Sequence, residues 1–186
     1  KSDLIKLRSL IKSAKKNNKP IACLIQNKVL EKVKEKKFIS KKKSLPFRKE
    51  IIKELIKNLN YNANIIATTG FASRELMELR KKVKLKGNDF YMVGGMGHSS
   101  SVALGISLNS SKKTICLDGD GSLLMHFGSL VTSGFFAKKN FKHLLLNNYS
   151  HESVGGQRTN IEKVKFKDLT KAVGYKKYIL LKNRKE

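Results

Sequence analysis

Four short runs in this chain are apolar on consecutive residues rather than on alternate ones: 63–67 (ANIIA), 90–93 (FYMV), 114–117 (TICL) and 141–146 (FKHLLL). A strand solvated on one face alternates apolar with polar side chains, so largely continuous runs point to strands covered on both faces, as in parallel sheets. Helical patterns lie between them, and the chain is expected to fold as an α/β domain with a mostly parallel sheet and helices on both faces. Each run ends in a polar or glycine-rich segment: 68–70, 94–98, 119–122 and 147–157. Ligands of open parallel sheets sit outside the carboxyl ends of the strands, so these four segments should converge on one crevice.

The intervening patterns fill in the order of elements. Leu4, Leu7, Leu10 and Ile11 have helical spacing within 3–15, and the apolar run 21–25 after Pro20 reads as a short strand. Residues 28–46 are lysine-rich with weak periodicity and read as a basic linker. Ile51, Ile52, Leu55 and Ile56 predict a second helix from about residue 47. A third helix follows Thr68-Thr69-Gly70, with Ser73 as its cap. Further helices are expected over 98–108, from Ser122 to about residue 136, and over 166–173, with a last strand at 178–181. Little chain remains after Leu181 to close the sheet, so the domain looks cut short at that end.

Composition removes several classes. No apolar run approaches the roughly 20 residues that span a bilayer, and residues 1–13 lead into no cleavage site of the secretory kind. Cys23 and Cys116 each lie in an apolar run and read as buried thiols of a reducing, cytoplasmic compartment. Forty basic residues against fourteen acidic give a net charge of +26. Only six of the forty are Arg, the better fork for phosphate, and no zinc-finger or RNP pattern accompanies them. The excess reads as a lysine-biased solvated surface, not as a nucleic-acid interface.

The sharpest local feature is 117–122 (LDGDGS), which leaves a buried strand and enters a helix. Glycines on both sides of Asp120 permit a tight turn and close approach to a ligand. The backbone N–H groups of the turn and of the following helix offer an anion seat. A carboxylate beside such a seat repels phosphate unless a cation lies between them, so Asp120 reads as a hard-metal ligand. The next strand ends in Asn147-Asn148-Tyr149-Ser150, one βαβ unit later. Taken alone each segment could be a simple turn. Together they offer a carboxylate, an amide oxygen and a backbone carbonyl at neighbouring strand ends, most of what octahedral Mg²⁺ needs.

These motifs resemble the diphosphate- and magnesium-binding segments of thiamine diphosphate-dependent enzymes. Within them the chain is most similar to the phosphonopyruvate decarboxylase family, with sulfopyruvate decarboxylase as a near relative. The resemblance runs through TTGFASREL (68–76), FYMVGGMGHSSSVALG (90–105), LDGDGSLLMHFGSL (117–130) and NNYSHESVGGQRT (147–159). It implies that 47–186 is the diphosphate- and Mg²⁺-binding domain of the thiamine diphosphate fold, incomplete at its C-terminal end, and that 1–27 is the tail of a preceding pyrimidine-binding domain. It implies Asp120, Asn148 and Ser150 as Mg²⁺ ligands, and Gly119, Gly121 and Ser122 beside the diphosphate. It places Thr69 and Gly70 by the diphosphate or thiazolium, the Gly94 carbonyl on the aminopyrimidine, and Met96 between the two rings.

His98, His151 and Glu152 are the candidates for acid–base work or substrate contact, with Gln157 and Arg158 in the same segment. His126 reads as packed or exposed within a helix, and His143 as a surface or edge residue of a strand. The implied reaction is decarboxylation of 3-phosphonopyruvate to phosphonoacetaldehyde and CO₂ in phosphonate biosynthesis. A thiazolium ylid adds to the keto carbon and takes up the electron pair left by CO₂ as an enamine. The activating glutamate of this family comes from a pyrimidine-binding domain, and no residue here matches it. The chain alone is therefore expected to be inactive and to act in a homo- or hetero-oligomer, either as part of a larger enzyme or as a β-type subunit of a sulfopyruvate decarboxylase.

Overall fold

The computed structural model describes residues 2–26, 46–59, 63–84 and 86–181. The chain divides into two units, Lys1–Lys36 and Lys37–Glu186. The first holds helix α1 (Ser2–Asn17), formed as the apolar spacing predicts. Residues 21–25 join no ladder among the described residues, and Ile21, Leu24 and Ile25 are exposed there, so the expected strand is not seen. A strand needs a neighbour to satisfy its backbone, and an apolar run alone does not supply one. The expected linker 28–46 lies outside the described residues except for Pro46.

The second unit is a parallel sheet with helices on both faces. Its strands are β1 (Ala63–Ala67), β2 (Asn88–Tyr91), β3 (Lys113–Gly119) and β4 (Phe141–Leu146), in the order β2-β1-β3-β4. All neighbours are parallel. The connecting helices are α2 (Arg48–Asn58), α3 (Phe71–Val83), α4 (Ser99–Leu108), α5 (Asp120–Met125), α6 (Ser129–Phe136) and α7 (Phe166–Ala172).

Side chains of a strand point alternately to its two faces, and the core divides accordingly. Ile65, Ala67, Ile115 and Leu117 pack against Ile52 and Ile56 of α2 and Ala72, Leu76 and Leu79 of α3. Their neighbours Ile66 and Cys116 face the other way, against Ala103 and Leu104 of α4 and Phe141. The continuous apolar runs of the central strands β1 and β3 are thus buried from both sides. The run expected at 90–93 belongs instead to the edge strand β2, which ends at Tyr91, and leaves Phe90 and Val93 exposed.

This topology creates the crevice. The chain leaves β1 into α3 on one face and returns to the sheet through α4 on the other, where α6 joins it through a Ser100–Ser129 hydroxyl bond of 2.8 Å. The loops after β1 and β3 therefore diverge to opposite faces, and a cleft opens between them at the carboxyl end of the sheet.

Four local expectations are corrected. Ser73 is not a cap: α3 begins at Phe71 after Gly70, whose φ of 108° favours glycine. The Ser73 hydroxyl instead donates back to the carbonyls of Ala67 (3.0 Å) and Thr68 (2.7 Å), tying the helix to the strand end. The helix expected from Ser122 to about residue 136 is two helices, broken where His126 leaves helical geometry at φ −138° and ψ 49°. Residues 178–181 form no strand among the described residues, and their side chains are exposed. Of the cysteines, Cys116 is buried as expected, but Cys23 is exposed, and neither is in a disulfide.

Candidate functional site

Register places the two decisive segments side by side. Gly119, the last residue of β3, pairs with Leu146, the last of β4. Asp120 follows the first and Asn148 the second, so both emerge at adjacent strand tips. A cleft of about 470 Å³, open to solvent, is lined by Asp120, Asn148 and Ser150 together with Gly119, Gly121 and Ser122. Thr68, Thr69, Met96, His151 and Glu152 also line it. Gly70, Gly94 and His98 are not among the lining residues.

Asp120 is 3% exposed. Thr159 donates its hydroxyl to Oδ2 at 2.7 Å. Burial pushes the carboxyl above its usual range, and the bonds from Thr159 and from the backbone at Gly121 only partly offset this. The charge on this buried carboxylate is only partly compensated by its neighbours, His151 among them, and a hard cation would relieve the remaining cost. Asn148 and Ser150, which carry an amide oxygen and a backbone carbonyl, line the same cleft as Asp120. Such a set fits Mg²⁺.

The backbone leaves room beside it. A methyl built on Gly119 would find only the Thr68 methyl at 4.0 Å, in the cleft itself. At Gly121 the missing side chain has a different use. A Cβ there would lie 2.4 Å from Nδ1 of His151, so glycine lets the imidazole rest on the turn.

Ser122 lines the cleft and has partners of its own. Its Oγ accepts from the Gly97 N–H at 3.1 Å and lies 2.6 Å from the Thr68 hydroxyl. It also bonds the Asp118 carboxylate. A hydroxyl has one hydrogen and two lone pairs. Either hydroxyl of the Thr68–Ser122 pair can be the donor, and these partners hold the Ser122 side chain in place. The hydroxyl acts as a strut joining the ends of β1 and β3 to the glycine loop. Thr69 similarly donates to the carbonyls of Met92 (3.1 Å) and Gly94, which fixes the loop from beneath.

The histidines separate clearly. His151 lines the cleft. His98 precedes α4, where its carbonyl accepts from the Val102 N–H at 3.0 Å but its side chain makes no cap bond. Its ring packs at a tilt on His126, with centroids 4.4 Å apart. His143 lies on the edge strand β4 as expected but is not at the surface, its side chain being only 6% exposed. Nε2 lies 3.2 Å from Asp118 Oδ2 and Nδ1 lies 3.1 Å from the Tyr175 hydroxyl. Burial opposes a charge on this ring, but Cys116 and Asp118 outweigh it and hold the ring protonated well above the ordinary imidazole range. For Asp118, burial likewise pushes upward, and His143, Ser122 and the Gly119 N–H together bring the carboxyl below its usual value.

Cys116, Asp118 and His143 bring one ligand atom each within 4.8 Å of one another, a cluster that could hold a metal. Its sulfur and nitrogen suit a softer ion than the oxygens around Asp120.

Sequence reasoning missed Asp118, Thr159 and Arg48. The parity of Asp118 with Cys116 along β3 was the available signal for the first. Nothing in the sequence marked Thr159. Arg48 reaches the cleft from α2, with a two-bond fork to Glu75 at 2.9 Å each and one bond to Glu152 at 2.8 Å.

Comparison with known proteins agrees with this geometry. Residues 69–183 match the family described as thiamine pyrophosphate enzyme, C-terminal TPP binding domain. The chain is 40% identical over 131 residues to a phosphonopyruvate decarboxylase of Streptomyces viridochromogenes, covering 70% of this chain and 32% of that protein. It is 38% identical over 118 residues to a sulfopyruvate decarboxylase subunit beta of Methanocaldococcus jannaschii, covering 63% of this chain and 61% of that subunit. The chain thus spans about a third of the length of the first relative and about three fifths of the second. With strand tips, buried carboxylate and family match in agreement, the chain belongs to the thiamine pyrophosphate enzymes, as a C-terminal TPP-binding domain.

Proposed function

We propose that this domain is the diphosphate- and Mg²⁺-holding half of a decarboxylase that converts 3-phosphonopyruvate to phosphonoacetaldehyde and CO₂. The observation that carries this reading is the pairing of Gly119 with Leu146, which brings Asp120 and Asn148 to one cleft. Asp120, the Asn148 amide oxygen and the Ser150 carbonyl hold Mg²⁺, and the turn at Gly119 and Gly121 receives the diphosphate. Met96 lines the same cleft and supports the bent cofactor. Thiamine diphosphate, when bound, supplies the electron sink that a 2-oxo acid lacks as it loses CO₂. His151, resting on Gly121, is the group of this chain best situated to hold or move a proton beside that centre.

Residues 1–27 are the tail of a pyrimidine-binding domain, and a domain of that kind, in the same polypeptide or in another subunit, supplies the activating glutamate. The protein acts as an oligomer in the cytoplasm, where free Cys23 and Cys116 are at home. Among the described residues no helix is long and apolar enough to cross a membrane.

The likeness of segment 147–157 to the phosphonate enzymes, with 40% identity to the phosphonopyruvate decarboxylase against 38% to the sulfopyruvate decarboxylase subunit, supports phosphonate over sulfonate as substrate. The second reading is a sulfopyruvate decarboxylase β-type subunit, favoured by the larger share of that relative which the chain spans. Steady-state rates of CO₂ release from both acids, with the pyrimidine-binding partner present, decide between them. Faster turnover of phosphonopyruvate at equal concentration is expected; preference for sulfopyruvate, or release from neither, refutes the first reading. The chain without its partner is expected to release no CO₂.

A further inference from the structure

The proposed site needs the oxygen end of the Asn148 amide, yet an amide can present either end to a cleft. Its two ends are nearly the same size and differ only in donating or accepting. Something must therefore select the orientation. Glu152 lies four residues on, and its Oε2 accepts from Asn148 Nδ2 at 3.1 Å and from an Arg48 nitrogen at 2.8 Å. An ionised carboxylate only accepts, so only the NH₂ end of Asn148 can face it. The oxygen end is turned the other way, where it accepts the Ser150 N–H at 3.1 Å. The selector is itself anchored, because Arg48 is forked to Glu75 of α3.

We propose that Glu152 is a positioning residue, not an acid–base group: held by Arg48, its carboxylate fixes the Asn148 amide so that Oδ1 faces the metal. The inference rests on the reading of Asn148 as a Mg²⁺ ligand and deepens it. One acceptor oxygen meets both Arg48 and Asn148, and that oxygen is what the role requires. Glutamine at this position keeps an oxygen acceptor and has no acid to offer; alanine has neither.

The test compares Glu152→Ala and Glu152→Gln in the full chain. Calorimetric titration with Mg²⁺ in the presence of thiamine diphosphate is one readout, and hydrogen exchange of the Ser150 amide without either ligand is the other. Removing a group that orients a metal ligand costs about 10–100-fold in metal affinity. Glu152→Ala is expected to show that loss together with faster Ser150 exchange, whereas Glu152→Gln stays within about threefold of wild type in both, as retention of the acceptor predicts. Equal loss in both variants, or no change in either, overturns the proposal while leaving the metal site intact. Should the wild-type chain take up no Mg²⁺ at all, the functional reading fails instead, and Ser150 exchange alone decides the positioning role.

Discussion

Replacing His143 by leucine keeps the bulk of the ring and removes the partner of Asp118. The carboxylate would stay 1% exposed, with the Gly119 N–H at 2.9 Å and the Ser122 hydroxyl as its remaining donors. Breaking a buried pair from one side costs about 3–5 kcal/mol, and the two surviving bonds offset part of this, leaving about 2–3 kcal/mol. For a chain of this size that lowers Tm by about 5–10 °C.

The pH dependence carries the sharper signature. In the wild type the His143 value is raised, so its contribution is complete below the unfolded value of about 6.5 and is lost as pH rises through the folded one. The Asp118 value is lowered, so its contribution is present above about 3.9 and is lost as pH falls through the folded one. In His143→Leu the carboxylate has burial without its partner, its value rises, and acidification restores stability. The gap between the two proteins is therefore widest at about pH 5–6.5, narrowing above and below. Urea unfolding across this range measures it. A gap under about 0.5 kcal/mol, or one that is flat with pH, refutes the assignment of a buried ion pair.

Two further substitutions test neighbouring parts. A methyl on Gly134 of α6 would sit 1.7 Å from the Val173 carbonyl oxygen, so Gly134→Ala must push α6 off the turn after α7 and is expected to cost about 2–3 kcal/mol by thermal unfolding. Thr159→Val removes the hydroxyl that bonds Asp120 and is expected to weaken Mg²⁺ binding by about tenfold in a calorimetric titration, with the fold intact by circular dichroism.

The sheet was legible because burial on both faces leaves a mark that survives in sequence: 63–67 and 114–117 carry no polar alternation, and both became central strands. The cleft was legible for a related reason, since Gly119-Asp120-Gly121 and Asn147-Asn148 end successive strands and topology alone makes them neighbours. What failed depended on partners distant in the chain. His143 is buried because Tyr175, 32 residues later, closes over it. The runs 21–25 and 178–181 have the composition of strands, but among the described residues they have no ladder. Glu152 lines the cleft, but no spacing in the sequence records its bond to Arg48 across a 104-residue separation.

The central claim is that Asp120 and Asn148 grip one magnesium diphosphate. Calorimetric binding of thiamine diphosphate to the full chain, with and without Mg²⁺, in wild type and Asp120→Ala, tests it most directly. Binding is expected to require Mg²⁺ and to fall by at least about 100-fold in the variant. Uptake that is indifferent to Mg²⁺, or unchanged in Asp120→Ala, would contradict it.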